Sequence, residues 1–338
     1  MQEVPQAMDL HGWNLPRGHR LGLRTKMSIR AMGEEISNQT QDLPGFASQL
    51  RKRHTPKLKP SSLIFTGSGD SYAAAVFAQE LSQGESAASD PYELLRNIRR
   101  IRRKNLVIIS VSGRTKTNVE LARKAKGIST STLAVTANPD SPLASECDET
   151  LQLKYRTTGI LTSGTISFTT SLLACALLLG NLPNIVRVKA ATMGTPQLAT
   201  NLKQIGKGAF VFTGSGVNYA LALYGAAKIN EILGANAEAV YPEQLGHAKL
   251  FTIDKKRCFI LCISSGRDKA METHQLLHKD GFLSSIIAFP DSQVVNRSLR
   301  IATYLQRLAL FLAKRKGIKE CAFLSDKNRL KLSNRMIY

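Results

Sequence analysis

The sequence predicts an α/β protein built twice, as two tandem units that are each a parallel sheet flanked by helices in a doubly wound, flavodoxin-like arrangement. Three observations carry this expectation. Phe65-Thr66-Gly67-Ser68-Gly69-Asp70-Ser71-Tyr72 returns 147 positions later as Phe212-Thr213-Gly214-Ser215-Gly216-Val217-Asn218-Tyr219. Each copy follows a short apolar run and precedes an alanine-rich amphipathic stretch, the pattern of strand, turn and helix start. Val107-Ile108-Ile109-Ser110-Val111-Ser112-Gly113-Arg114 is echoed by Phe259-Ile260-Leu261-Cys262-Ile263-Ser264-Ser265-Gly266-Arg267, so the repeat has the size of a domain and not of a solenoid unit. Continuous apolar strands alternating with amphipathic helices imply parallel sheets covered on both faces, and 338 residues is a length for about two domains.

In chain order, residues 1–26 carry scattered Pro and Gly without periodicity and are expected to form a poorly ordered arm. The first domain, 27–183, opens with a helix over 28–49 and a polar linker over 51–62. Strand 63–66, helix 71–82, strand 106–110, helix 115–126, strand 131–135, a strand or loop at 149–153 and a long apolar helix 163–180 follow. The second domain, 184–338, repeats the plan with helix 185–204, strand 209–213, helix 218–233, strand 258–263, helix 268–281, strand 284–288, a final helix around 298–316 and a basic tail.

Composition narrows the class. No apolar run reaches the roughly 18 residues a membrane span needs, and the N-terminus lacks the apolar core of a signal peptide, so a cytoplasmic location without membrane contact is expected. Five cysteines form no CxxC pair and read as buried thiols. His274 and His278 lie four apart without an acidic or Cys partner nearby, so no metal and no other cofactor is expected. The net charge of +21 is uneven: 96–104 holds six basic residues in nine, and 314–338 holds eight against two acids. The isoleucines of the first run can face inward while its arginines stay wet. Without aromatic interleaving or a reading motif, nucleic acid is not the expected partner, and the charge suits a phosphorylated ligand equally well.

In a doubly wound sheet, ligands bind at the carboxyl ends of the strands. There the first unit carries hydroxyls: Ser68 and Ser71 after one strand, Ser110, Ser112 and Thr115 after the next, with Gly113 allowing close backbone approach. Free N–H groups and the helix dipole at such turns favour a phosphate, although Ser and Thr before a helix also serve as ordinary caps. A dinucleotide fold is disfavoured, because Tyr72 and Tyr219 stand where GxGxxG requires its third glycine. Lys228 and Glu231, three apart, share a helix face. Glu and His are a natural pair for proton transfer near neutral pH, although a surface ion pair with His247 as a loop histidine is the ordinary reading of these residues.

The ordered set of motifs resembles the sugar isomerase (SIS) domain family, and most closely the isomerase half of glucosamine-6-phosphate synthases, over about 27–338. Gly69-Asp70-Ser71-Tyr72 is similar to the family's GTSY, Ser110 to Thr115 to SQSGET, Phe168-Thr169-Thr170 to AFTTQ, Gly225 to Glu231 to GALKLKE, Ala237-Glu238-Ala239 to the AEA that follows it, and His247 to Asp254 to HGPLALID. The resemblance implies two SIS domains. It implies phosphate ligands Ser71, Ser110, Ser112 and Thr115 with the backbone of Val111, and sugar contacts from Ser68, Asp70 and Thr162. It further implies Glu231 as the base moving a proton between C1 and C2, Lys228 beside the sugar oxygens, and His247 assisting ring opening in the site of the other subunit of a homodimer. Lys331, near the C-terminus, matches a lysine that closes over the sugar.

Several positions depart from the synthases. Residue 2 is Gln2 and not the cysteine of a glutaminase, so glutamine is not expected as an unaided ammonia source. Gly159, Thr162, Gly164, Tyr224 and Asn236 replace the family's residues around the sugar. The expectation is therefore an isomerase or deaminase acting on a hexose or aminohexose 6-phosphate of the fructose 6-phosphate or glucosamine 6-phosphate type. Two alternatives are a phosphosugar-binding regulatory protein without catalysis and a basic adaptor for nucleic acid.

Overall fold

A computed structural model describes residues 27–53, 58–186, 208–289 and 293–338. The expected arm at 1–26, and the helix expected at 185–204 beyond Val186, lie outside them.

Two all-parallel sheets form the frame. The first contains β1 (Leu63–Gly67), β2 (Ala87–Ser89), β3 (Asn105–Ile109), β4 (Ser131–Thr136) and β5 (Glu149–Gln152) in the order β2-β1-β3-β4-β5. The second contains β6 (Ala209–Gly214), β7 (Ala237–Val240), β8 (Cys258–Ser264) and β9 (Ser284–Ala288) in the order β7-β6-β8-β9. The second order is the first one over again, without a fifth strand among the described residues. Register repeats as well: Gly67 pairs with Ile109 as Gly214 pairs with Ile263. β1 and β8 are buried along their whole length, as expected of strands covered on both faces.

The helices that bury these strands are α1 (Ser28–Lys52), α2 (Asp70–Leu81), α3 (Pro91–Arg96), α4 (Lys116–Ala125), α5 (Pro142–Glu146) and α6 (Ile166–Leu178) in the first half. In the second half they are α7 (Val217–Leu233), α8 (Pro242–His247), α9 (Lys269–Lys279), α10 (Val294–Arg315), α11 (Ala322–Ser325) and α12 (Lys327–Ile337). One buried cluster, running from Met32 and Phe77 to Phe212, Tyr224 and Leu305, joins α1, α2, α6, α7 and α10 into a core shared by both halves. Within it the rings of Phe168 and Tyr224 stack with centroids 3.7 Å apart.

Differences from the sequence reading have local causes. β2 and β7 are short edge strands held by backbone pairing with β1 and β6, and their three or four residues, Ala-Ala-Ser and Ala-Glu-Ala-Val, give no apolar run to read. The long apolar helix starts at Ile166 and not at 163, which leaves Ser163-Gly164-Thr165 as a loop. The final long helix starts at Val294, where the Gln293 side chain accepts the Asn296 N–H. The basic run behaves as read: Ile101 is buried, whereas Arg99, Arg100, Arg102 and Arg103 face solvent. Among the described residues no helix is long and apolar enough to cross a membrane.

Candidate functional site

β1 and β3 are neighbours in the sheet, so the turns that leave them open at the same edge. After β1 the chain passes through Ser68 and Gly69, whose φ of 59° is in the left-handed region glycine favours. α2 then starts at Asp70 without a side-chain cap. A Cβ on Gly67 would lie 2.7 Å from Ser71 Cβ and 2.8 Å from the Ile109 carbonyl oxygen, so only glycine lets the helix approach this closely. After β3 come Ser110, Val111, Ser112 and Gly113, the last with φ 65° and packed so that a Cβ would run into Ser141. Thr115 stands at the N-cap of α4, yet its hydroxyl makes no capping bond. Ser112 Oγ accepts the Arg114 N–H at 3.4 Å. Two helices thus begin side by side without side-chain caps, and Ser71, Ser110, Val111, Ser112 and Thr115 gather around their ends.

The corresponding turn of the second half differs. Gly214 and Gly216 repeat the close approach and the positive φ, but Asp268 fills the place after β8. Its Oδ2 accepts the Ser265 N–H at 2.7 Å, and its Oδ1 accepts the Ser264 hydroxyl at 2.8 Å and the Met271 N–H at 3.0 Å.

α2 and α7 pack antiparallel across the two halves: Asp70 meets Lys228, and Glu80 approaches Gly216. This pairing creates a charged cluster. The Lys228 side chain is fully buried, and its ammonium donates to Asp70 Oδ2 at 2.7 Å, Ser163 Oγ at 2.6 Å and Glu231 Oε2 at 2.7 Å. Ser163 Oγ in turn donates to Glu231 Oε2 at 2.7 Å. All three ammonium protons are used. Burial works to lower the Lys228 pKa, but the Asp70 and Glu231 carboxylates outweigh it and hold the ammonium charged. Burial pushes the Asp70 carboxyl up to about 7, with Lys228 pulling it down and Glu231 pushing it further up. Asp70 Oδ1 is buried and has no hydrogen-bond partner. Glu231 keeps 36% of its side chain exposed, so it is the carboxylate of the cluster that reaches solvent.

The loop that supplies Ser163 is fixed from behind. Tyr224 donates its hydroxyl to the Gly164 carbonyl at 2.8 Å. Thr165 Oγ1 donates to Glu35 of α1, Gln306 of α10 donates to the Thr165 carbonyl, and Gln39 donates to Gln306. A Cβ at 164 would lie 2.6 Å from Asp70 Oδ2, so glycine is what admits the carboxylate.

Not all of the expected residues converge here. His247 sits on α8 with 71% of its side chain exposed, 3.3 Å from Glu243 of the same helix, and it does not meet Glu231 of its own chain. Lys331 is exposed on α12. Thr162 gives its hydroxyl to the Ser28 carbonyl at 3.0 Å, and Ser68 is exposed at the turn. Ser163, by contrast, lies at the centre of the cluster and was missed by the sequence reading, although it stands between Thr162 and Gly164, both singled out there. His274 turns its Nδ1 to Ser284 Oγ at 3.1 Å, and among the described residues no group of three His, Cys, Asp or Glu side chains converges on a metal position. A groove of about 1030 Å³ lies between α1 and α10, lined by Ile29, Ile36, Leu310 and Phe311 among others, and includes no residue of the charged cluster. Convergent polar chemistry, not volume, locates the candidate site.

Known proteins share this frame. The chain is 27% identical over 270 residues to the glutamine–fructose-6-phosphate aminotransferase [isomerizing] of Francisella tularensis, covering 71% of this chain and 43% of that protein. It is 28% identical over 255 residues to the enzyme of the same name from Pyrococcus horikoshii, covering 67% and 40%. The chain therefore spans less than half the length of these curated relatives. Among solved structures it is similar to the C-terminal domain of glucosamine-fructose-6-phosphate aminotransferase from Francisella tularensis, with TM-score 0.63, 21% identity and coverage of 85% and 96%. It is also similar to the glucosamine-6-phosphate deaminase of Thermotoga maritima, with TM-score 0.65, 19% identity and coverage of 86% and 96%. At these identities the structural likeness concerns the fold. The SIS domain family matches residues 58–180, the stretch that holds both uncapped helix ends of the first sheet.

Proposed function

We propose that this chain is a phosphosugar isomerase or deaminase, acting on a hexose or aminohexose 6-phosphate, whose phosphate rests on the turns of the first sheet and whose sugar reaches Glu231. The observation that carries the reading is the ammonium of Lys228, bonded at 2.7 Å both to Asp70, at the phosphate-side end of α2, and to Glu231 of α7. It joins an anion cradle to a solvent-reaching carboxylate across the two halves. The uncapped Thr115 supports the cradle, since its hydroxyl is left for a ligand.

In this reading Ser71, Ser110, Ser112 and Thr115, with the Val111 backbone, bind the phosphate, while Ser68, Asp70 and Ser163 stand toward the sugar. Glu231 takes the proton from one of the carbons C1 and C2 and returns it to the other. The C–H electron pair forms the enediol double bond, and the carbonyl pair moves to its oxygen, which takes up a proton. Lys228 orients Glu231 through their 2.7 Å bond. The second half is a further SIS domain, and the exposure of His247, with Phe251 beyond it 84% exposed, suits a homodimer in which His247 of the partner subunit supplies that oxygen's proton. Lys331 is assigned to closing over the sugar.

One observation favours a second reading, a phosphosugar-binding protein without turnover: Glu231 Oε2 is engaged by both Lys228 and Ser163. A panel of hexose and aminohexose 6-phosphates in deuterated solvent, with and without ammonium, separates the two by NMR. Deuterium at C1 or C2, or release of ammonia, is expected. Binding without either result for every sugar leaves the non-catalytic reading.

A further inference from the structure

We propose that Asp70 is a positioning residue that takes up a proton when the adjacent turn receives a phosphate dianion, leaving Lys228 to pair with Glu231 alone. The proposal rests on the reading of the first-sheet turns as the phosphate site.

The argument starts from charge. Asp70, Glu231 and Lys228 form a closed trio with two carboxylates on one ammonium, at 2.7 Å each, so the cluster carries a net negative charge when both acids are ionised. Asp70 immediately precedes Ser71, with Cα atoms about 3.8 Å apart, and a dianion at the turn lies well inside the screening length of about 8 Å. One charge must yield. Lys228 is held by both carboxylates, and Glu231 keeps contact with water. Asp70 has only 17% of its side chain exposed, and its Oδ1 lies buried with no donor. A buried carboxylate oxygen without a donor is costly, so a proton removes more strain there than at Glu231. The start of α2 opposes this by favouring a negative charge, which keeps Asp70 ionisable in the free protein.

The surrounding groups agree. α7 presents Lys228, Glu231 and the Tyr224 hydroxyl, and the 163–165 loop presents Ser163; Glu35 of α1, whose own carboxyl is raised by burial, bonds to Thr165 of that loop. Lys228 is the cation bonded to Asp70, and with its pKa near 7 the carboxyl is poised to change state at ordinary pH. Phosphate binding thus reaches the proton-transferring end of the site without any backbone movement: it converts an ammonium shared by two carboxylates into one paired with Glu231.

The test is calorimetric titration of the full chain with sulfate, a dianion that carries no titrating proton near neutrality, in buffers of differing ionisation enthalpy between pH 7 and 8. Up to about one proton taken up per sulfate is expected, with affinity falling by up to about tenfold per pH unit above 7. Asp70→Asn, or Asp70→Thr should the first variant not fold, should still bind sulfate but lose both the proton uptake and the pH slope. Binding by the wild type without proton uptake overturns the proposal, as does uptake that persists in a folded Asp70 variant. If neither sulfate nor inorganic phosphate binds the wild type, the phosphate-site reading itself is wrong and the proposal falls with it.

Discussion

Thr115 and Asp268 occupy corresponding places in the two halves of the chain, each at the N-cap of the helix that follows the central strand turn, and they treat that turn in opposite ways. The Thr115 hydroxyl leaves the N-terminus of α4 uncapped, whereas the Asp268 carboxylate accepts from Ser264, Ser265 and Met271 and fills its own cradle. The second turn carries a covalently attached anion in the position that the first leaves without one.

The open turn gives the most direct check. Ser112→Ala should weaken phosphosugar binding by about 1–2 kcal/mol, the worth of a hydrogen bond to a charged group, while leaving thermal stability unchanged. Calorimetry decides it, and an unaltered affinity would move the anion site elsewhere.

Glu231→Gln should bind phosphosugar and lose about two to four orders of magnitude in turnover, the contribution of a positioned acid–base group. Deuterium incorporation at C1 and C2 is the readout, and a variant that exchanges as fast as the wild type would take the base role from Glu231.

Lys228→Met leaves Asp70 and Glu231 facing each other without their cation. A loss of about 3 kcal/mol in denaturant unfolding is expected, the low end of the range for breaking a buried pair because Glu231 keeps about a third of its side chain in water. Adding Asp70→Asn to that variant should recover part of the loss, since the uncompensated charge is then smaller.

Stability should also depend on pH through Asp70. Its carboxyl is pushed up from 3.8 to about 7 by burial, so between these values the folded protein holds a proton that the unfolded chain has released. The contribution of this group to stability therefore falls as pH rises from about 4 to about 7 and levels off above that. The difference in Tm between wild type and Asp70→Asn, followed across that window, should show this slope; a flat difference curve would place the titration outside it.

Mixing inactive Glu231→Gln and inactive His247→Ala subunits tests the shared site. Heterodimers should regain activity in one of their two sites, giving about a quarter of wild-type sites after complete statistical exchange. No recovery after demonstrated exchange, or a monomer in sedimentation, would remove the shared-site arrangement.

Much of the frame was readable because it rests on strong local signals. The repeated glycine turns, the buried strands β1, β3, β6 and β8 and their following helices all coincide with apolar runs ended by glycine or serine. Lys228 and Glu231 stand out through the family resemblance, their spacing of three puts them on one helix face, and the structure joins them at 2.7 Å. What escaped depends on tertiary contact. Ser163 looks like any loop serine until α2 and α7 cross beside it. The pairing of Asp70 with Lys228 spans 158 positions and leaves no trace in periodicity. Thr162 was read toward the sugar, yet its hydroxyl is spent on the carbonyl of Ser28, a partner that no local pattern reveals.

That same Ser28 has a consequence for how the protein is made. Its hydroxyl accepts the Cys321 N–H, a contact across 293 positions, and its N–H turns to Glu320. α1, which covers the first sheet, is tied to α10 through Gln39 and Gln306. On the ribosome the first sheet therefore emerges long before the residues that lock its covering helix in place. Synthesis at about 5–20 residues per second leaves that helix waiting many seconds for its final partners, with its apolar stripe of Ile29, Met32 and Ile36 to be shielded meanwhile. Closure of Ser28 against Cys321 is expected to be the late step of folding, and truncation before Cys321 should yield nascent chains that chaperones hold and proteases find.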